Sequence, residues 1–335
     1  MTDVATERVA SQAAPAVTPA TPVKPPALDT RKLTKRYGAL TALDALDLEL
    51  DSGDVFGFIG PNGAGKSTTM KILAGLLEPT SGSAHVLGRD VMTNGDFVRR
   101  NVGYMPDFFG VYEDLKVTEY LEFFASAYGL PRRQRKRVVA DVLELTDLKY
   151  KADAYVDSLS RGMQQRLGLA RVLVHDPPVL LLDEPASGLD PRARIEIREL
   201  LKELQRLGKT ILVSSHILSE LGEFCNKLGI IERGKLIVSG TVGELFARAQ
   251  AHPVIAIQVD AGLQEAAHAA RRSDPRIDAI DRRNGELLVT LHDPTQHHHF
   301  LIERLVQSNV RINGIAPQQL KLEDVFLRLT KGIVQ

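Results

Sequence analysis

Apolar and polar positions alternate from Leu28 onward. The stretches "LDTRKLTKRYG" and "ALDALDLELDSGDVFGFIG" have a period of two and break at glycine, which predicts strands. The apolar run Val55–Ile59 leads straight into a glycine-rich stretch. The spacing then turns helical in "KSTTMKILAGLLEP" and stops at Pro79. Across 114–150 it is mostly helical, in "TEYLEFFASAYGL" and "RQRKRVVADVLELTDL". Another helix is predicted from Ser160 through "RGMQQRLGLARVLVH". "PVLLLDEP" is a continuous apolar run ending in acids, as a buried parallel strand would be. The helix "PRARIEIRELLKELQRLG" and a second buried strand, "TILVSSH", follow, and "LGIIERGKLIVSG" predicts a hairpin turning near Gly234. Strands alternating with helices imply an α/β fold with a mostly parallel sheet covered on both faces.

After about residue 250 the pattern shortens. "VIAIQV" reads as a strand, "LQEAAHAARR" as a helix, and "RIDAI" and "ELLVTL" as strands flanking Asn284-Gly285, a strong hairpin signal. "HHHFLIERLVQS" reads as a helix, "VRINGI" as a strand and "LEDVFLRLT" as a last helix. The order βαββαβ matches a ferredoxin-like module. The chain therefore divides into a leader (1–27), a large α/β domain (28–245) with a helical subdomain at about 107–170, and an accessory α+β domain (250–335).

Composition refines this division. Residues 1–27 hold five prolines and seven alanines, with no Leu, Ile or aromatic residue, so they lack the apolar surface to offset ordering entropy. A disordered leader is predicted, and it has neither the apolar core of a secretory signal nor the arginines of a transit peptide. Lys+Arg and Asp+Glu are 42 each, so the net charge is zero, which argues against broad electrostatic binding to nucleic acid or an acidic membrane. The basic run "RRQRKR" (132–137) is read as a solvated helix face. Cys225 is the one cysteine, which rules out an internal disulfide; it is read as a buried small hydrophobe. No apolar run of 18 residues occurs in the sequence.

The chemistry concentrates in short motifs. "GPNGAGKST" (60–68) fits G-x-x-x-x-G-K-[ST], the phosphate loop. In the loop Gly60, Pro61, Asn62, Gly63, Ala64 and Gly65 the glycines let the backbone turn several N–H groups toward one anion, and the helix that follows presents its positive end there. Lys66 would neutralise phosphate charge, the Ser67 hydroxyl would ligate Mg²⁺, and Thr68 completes the loop. Asp183 and Glu184 close a buried strand at its C-terminal edge, where α/β sheets bind ligands. Asp183 suits the Mg²⁺ shell, and Glu184 suits acceptance of a proton from water. His216 ends the next buried strand and can donate to a phosphate; alone, such a histidine is more often structural. Tyr37 could stack on a purine through its flat face, though a strand tyrosine is usually packing. The unexpected element is "LSRGMQQR" (159–166). Ser160 and Gly162 begin a helix and could hold a second anion, or Ser160 could simply be an N-cap.

Taken in order, Tyr37, the phosphate loop, "LSRGMQQR", "LLLDEP", "SGLD" (187–190) and His216 resemble the ATP-binding subunit of an ABC transporter over about 28–245. The resemblance implies a P-loop NTPase core with a mostly parallel sheet, N-terminal antiparallel strands and a helical subdomain. It implies ATP and Mg²⁺ as cofactors. It also gives the second anion grip a purpose: Ser160 and Gly162 of one subunit close over ATP held by another, in a head-to-tail homodimer or paired dimer that Asp190 helps to join. Two departures stand out. Arg161 and Met163 replace a glycine and a glutamine of the family signature, and Asp107 stands where the family has a glutamine that touches Mg²⁺. Asp can still ligate Mg²⁺, but it is shorter and charged.

"VYEDLKVTEYLEFF", "LSRGMQQRLGLA" and "LEDVFLRLT" resemble the ABC-2-type exporters, whose permeases are separate polypeptides. The implied protein drives a transmembrane permease from the cytoplasmic face of the cell membrane, and no nucleic-acid partner is expected. Two rivals are a soluble ATPase of the same type that remodels nucleic acid or ribosomes, and a membrane-associated one without transport. Long coiled coils or paired cassettes, which mark the soluble class, are not seen in the sequence.

Overall fold

Alternation at the N-terminus becomes an antiparallel ribbon. Strands β1 (Leu28–Tyr37) and β2 (Leu40–Leu50) pair from Leu28↔Leu50 to Tyr37↔Leu40. The computed structural model describes residues 25–317 except 109, 111–113, 218–220, 250–252, 261, 272–273, 284 and 293–296. Most of the leader and the helix expected at "LEDVFLRLT" lie outside the described residues. Ala27, which composition assigned to the leader, is fully buried and donates its N–H to the Leu50 carbonyl.

The chain continues through β3 (Val55–Ile59), α1 (Lys66–Leu73), β4 (Ser81–Val86), β5 (Arg89–Asp90), α2 (Gly95–Asn101) and β6 (Val102–Met105). Helices α3 (Val117–Ala127), α4 (Arg132–Leu145) and α5 (Arg161–Leu173) follow. Then come β7 (Val179–Asp183), α6 (Pro191–Arg206), β8 (Thr210–Ser215), β9 (Lys227–Glu232), β10 (Lys235–Thr241) and α7 (Val242–Ala249). The larger sheet has the order β10-β9-β3-β8-β7-β6, parallel except for the β9–β10 hairpin. The ribbon joins β4 and β5 in a second sheet, β2-β1-β4-β5.

Both faces of the parallel sheet are covered. Along β7, Leu180 and Leu182 enter one apolar core with α3–α6, while Val179 and Leu181 enter another with α1 and the antiparallel sheet. Helix α1 stops at Leu73 rather than near Pro79. The Gly75 N–H bonds to the Ile72 carbonyl and the Leu76 N–H to the Lys71 carbonyl, a glycine-centred helix stop that comes before the proline. Strands β4 to β6 and helices α2 and α7 left no clear pattern in the sequence. They are short, and β4 (SGSAHV) is largely polar.

The remaining described residues form β11 (Val254–Val259), α8 (Leu263–Arg271), β12 (Ile277–Arg283), β13 (Glu286–Leu291), α9 (His299–Gln307) and β14 (Ile312–Pro317). Their antiparallel sheet has the order β12-β13-β11-β14, as βαββαβ topology requires, with its own core. The Arg283↔Glu286 pair closes the hairpin that Asn284-Gly285 predicted. Helix α9 begins at His299, so His297 and His298 precede it rather than joining it.

Candidate functional site

The phosphate loop sits between β3 and α1, the context its sequence required. Gly65, the residue before α1, has φ 112°, and a Cβ there would lie 2.7 Å from the Ala42 carbonyl oxygen, so only glycine fits. No side chain caps the start of α1. The first-turn N–H groups at Lys66, Ser67 and Thr68 have no carbonyl one turn back, so they point into the loop. The Lys66 ammonium is buried. It donates to the Gly60 carbonyl at 2.6 Å, approaches Pro61 O at 3.4 Å, and lies 3.6 Å from Glu184 Oε1.

Strands β7 and β8 carry the acids to the same point. Asp183 pairs in register with Ser214, whose hydroxyl donates to Asp183 Oδ1 at 2.6 Å. The same hydroxyl accepts the Glu184 N–H at 2.9 Å. Glu184 takes φ 51°, a left-handed backbone that is costly for a non-glycine residue. His216 Nδ1 lies 2.8 Å from Glu184 Oε2. One carboxylate is thus held between a lysine and a histidine. Ser214 is a residue that motif reasoning missed; "VSSH" held the signal, since β8 must pass beside the end of β7.

Asp107 follows β6. Burial raises its carboxyl above the ordinary carboxylate range, and the charges of Asp183 and Glu184 push it the same way, against Arg161 and His216. It therefore lies within electrostatic reach of both acids. The Tyr104 phenol on β6 is pushed up to about 12, by burial first and then by Asp183 and Asp107. Tyr37 ends β1 about half exposed, with Lys35 Nζ 5.2 Å from its ring centroid.

Ser160 and Gly162 do not join this cluster. They line a separate cleft of about 330 Å³ with Arg161, Met163, Gly188 and Asp190 among others, and no residue of 60–68 lines it. Ser160 is the N-cap of α5 rather than its first residue, and it accepts the Met163 N–H at 3.3 Å. The Arg161 guanidinium fills the space beside Gly188, where a Cβ would come within 2.4 Å of it. Asp190 Oδ1 accepts the Ala193 N–H at 2.9 Å and caps α6. Asp190→Ala is expected to lower stability by about 1 kcal/mol in chemical denaturation, and Asp190→Ser by much less, because serine also caps. Cys225 is buried, as its composition suggested.

Fold and site together define a nucleotide-binding protein of the phosphate-loop class. A family model described as "ABC transporter" matches residues 43–187. Nod factor export ATP-binding protein I of Ralstonia nicotianae is 35% identical over 311 residues, covering 91% of this chain and 94% of that one. Probable multidrug ABC transporter ATP-binding protein YbhF of Escherichia coli is 41% identical over 221 residues, covering 66% of this chain. The match spans 38% of that relative's length. Among solved structures, an ATP-binding subunit of an ABC transporter superposes with TM-score 0.60 at 31% identity, covering 66% of this chain and 92% of that one. A dimeric bacterial ABC transporter cassette gives 0.59 at 26% identity, covering 64% and 98%. The chain belongs to the ABC transporter ATP-binding family.

Proposed function

We propose that this chain binds and hydrolyses ATP to power a separately encoded transmembrane permease, in the direction of export. The working unit is a head-to-tail dimer that encloses nucleotide between the phosphate loop of one subunit and Ser160 and Gly162 of the other. The observation that carries it is the separation of the two grips: Lys66 of the loop meets Glu184 within the chain, while the cleft at Ser160 stands apart. A cleft with an anion-holding rim but no phosphate loop is half a site. The dimeric cassette among the structural relatives supports pairing, and the export named in the relatives supports the direction. Among the described residues no helix is long and apolar enough to cross a membrane, so in this scheme the permease supplies the path and seats the chain on the cytoplasmic face. We take 28–245 as the ATPase domain, with its helical subdomain at about 107–170, and 250–335 as an accessory domain.

The residues fit Mg²⁺ and ATP. The uncapped start of α1 and the buried Lys66 suit phosphate, and Ser214 occupies only one oxygen of Asp183. Ser67 and Asp183 would hold the cation, and Asp107 is a further candidate ligand. When bound, Mg²⁺ would neutralise phosphate charge and fix its orientation. Lys66 binds and orients the phosphates, and His216 holds Glu184 in position and can donate to the terminal phosphate. Glu184 accepts the proton of the attacking water at a carboxylate oxygen. Tyr37 carries the base, and Asp190 crosses to the partner. The basic face of α4 is exposed, and Arg137 pairs with Asp141 on the same helix, which favours a solvated surface over a nucleic-acid site.

The test is physical pairing and recruitment. Light scattering with ATP and Mg²⁺ is expected to show twice the single-chain mass when hydrolysis is blocked, and membrane sedimentation is expected only when the permease is coexpressed. A persistent single-chain mass under saturating ATP removes the dimer. Sedimentation that is indifferent to the permease removes the transport role.

A further inference from the structure

Strand β6, which lies beside the strand that ends in Asp183, carries a buried hydroxyl that none of the roles above uses. Tyr104 lies on β6 in register with Leu181 of β7. It packs with Leu181 and Val179 on the α1 face of the sheet, while Leu182 faces the opposite core. Side chains alternate along a strand, so Asp183 shares the face of Leu181 and Tyr104. Asp183 is two residues beyond Tyr104's partner, roughly 6.6 Å along the strand and about 4.8 Å across to it, so the phenol and the carboxylate can approach each other. The Tyr104 hydroxyl is closed off from solvent, yet among the described residues it has no hydrogen-bond partner.

A buried hydroxyl without a partner is destabilising, and native proteins rarely keep one without a use. Phenylalanine would fill the same apolar space at no such cost. A phenol is protonated at neutral pH, so the hydroxyl is available as a donor. Ser214 already satisfies Asp183 Oδ1, so the donor is left for what gathers around the other oxygen.

We propose that Tyr104 is a positioning residue of the cation site, its hydroxyl donating to the coordination shell of the divalent cation held by Ser67 and Asp183. The inference rests on the nucleotide reading above and adds a residue to it. The hydroxyl acts on the Asp183 side of the cation. It touches neither the phosphates nor the attacking water, so nucleotide affinity without cation does not depend on it.

Tyr104→Phe tests this. Mn²⁺ is titrated into the full chain with a non-hydrolysable ATP analogue, and bound Mn²⁺ is read by electron paramagnetic resonance. Losing one such hydrogen bond is expected to raise the half-saturating Mn²⁺ concentration about threefold to tenfold. Analogue affinity in EDTA is expected to stay at the wild-type value. Melting temperature should hold or rise, because the variant removes an unsatisfied group. Wild-type Mn²⁺ affinity in the variant overturns the proposal. An equal loss of affinity in EDTA also overturns it, since that would mark a general disturbance of the loop. If the wild-type chain itself binds no nucleotide, the proposed function falls and this inference with it.

Discussion

Glu184→Gln is expected to cut ATP turnover by ~10²–10⁴-fold while leaving nucleotide binding intact. The substitution barely changes shape. Glutamine can keep a hydrogen bond to His216, and the Ser214 contact is made by the backbone N–H of residue 184, which the change does not touch. Two things are lost: the oxygen that accepts a proton from water, and the carboxylate 3.6 Å from Lys66. The first loss stops the chemistry. The second frees the lysine for phosphate, so binding should not weaken. Phosphate release at saturating ATP, set against retention of labelled ATP, separates the two effects. A variant that hydrolyses at the wild-type rate removes Glu184 from the base role and leaves the cluster of Lys66, Glu184 and His216 without a catalytic purpose.

Much of this site was legible because its parts are local. The phosphate loop is one continuous stretch that needs only a strand before it and a helix after it, and β3 and α1 supply both. Asp183 and Glu184 announced themselves as charges at the end of an apolar run. Ser214 and Tyr104 were not legible, because their roles depend on strand register: β8 beside β7 for the serine, β6 beside β7 for the tyrosine. No spacing along the chain encodes which strands become neighbours. Helix α1 shows a smaller version of the same problem. Pro79 is a loud stop signal, but Gly75 acts first through two capping hydrogen bonds.

The departures at 107 and 161 gain a physical connection in three dimensions. Asp107 lies in the field of Asp183 and Glu184, and Arg161 opposes their effect on it. Arg161 also packs beside Gly188, at the edge of the second cleft. A cation replacing glycine and an acid replacing a neutral amide therefore sit within reach of each other's charge. Met163 is tolerated for a simpler reason: its backbone N–H, not its side chain, meets Ser160.

Mixing two inactive variants is expected to restore ATP hydrolysis. Lys66→Met removes the phosphate-binding cation, and Ser160→Asp places a negative charge where the partner's phosphate would sit. Aspartate is as good an N-cap as serine, so α5 should remain intact. Each variant alone has two damaged sites per dimer. In a mixed dimer both lesions fall in one site, and the other combines a sound loop with a sound Ser160. Random pairing in a two-fold dimer makes half of the dimers mixed, each with one good site, so recovery should approach about one quarter of wild-type activity if sites act independently. If each chain used its own Ser160 to complete its own loop, every site in the mixture would still carry a lesion. Steady phosphate release after coexpression or subunit exchange reads the difference directly. A mixture as inactive as its components would mean that the cleft at Ser160 does not serve a neighbour's nucleotide.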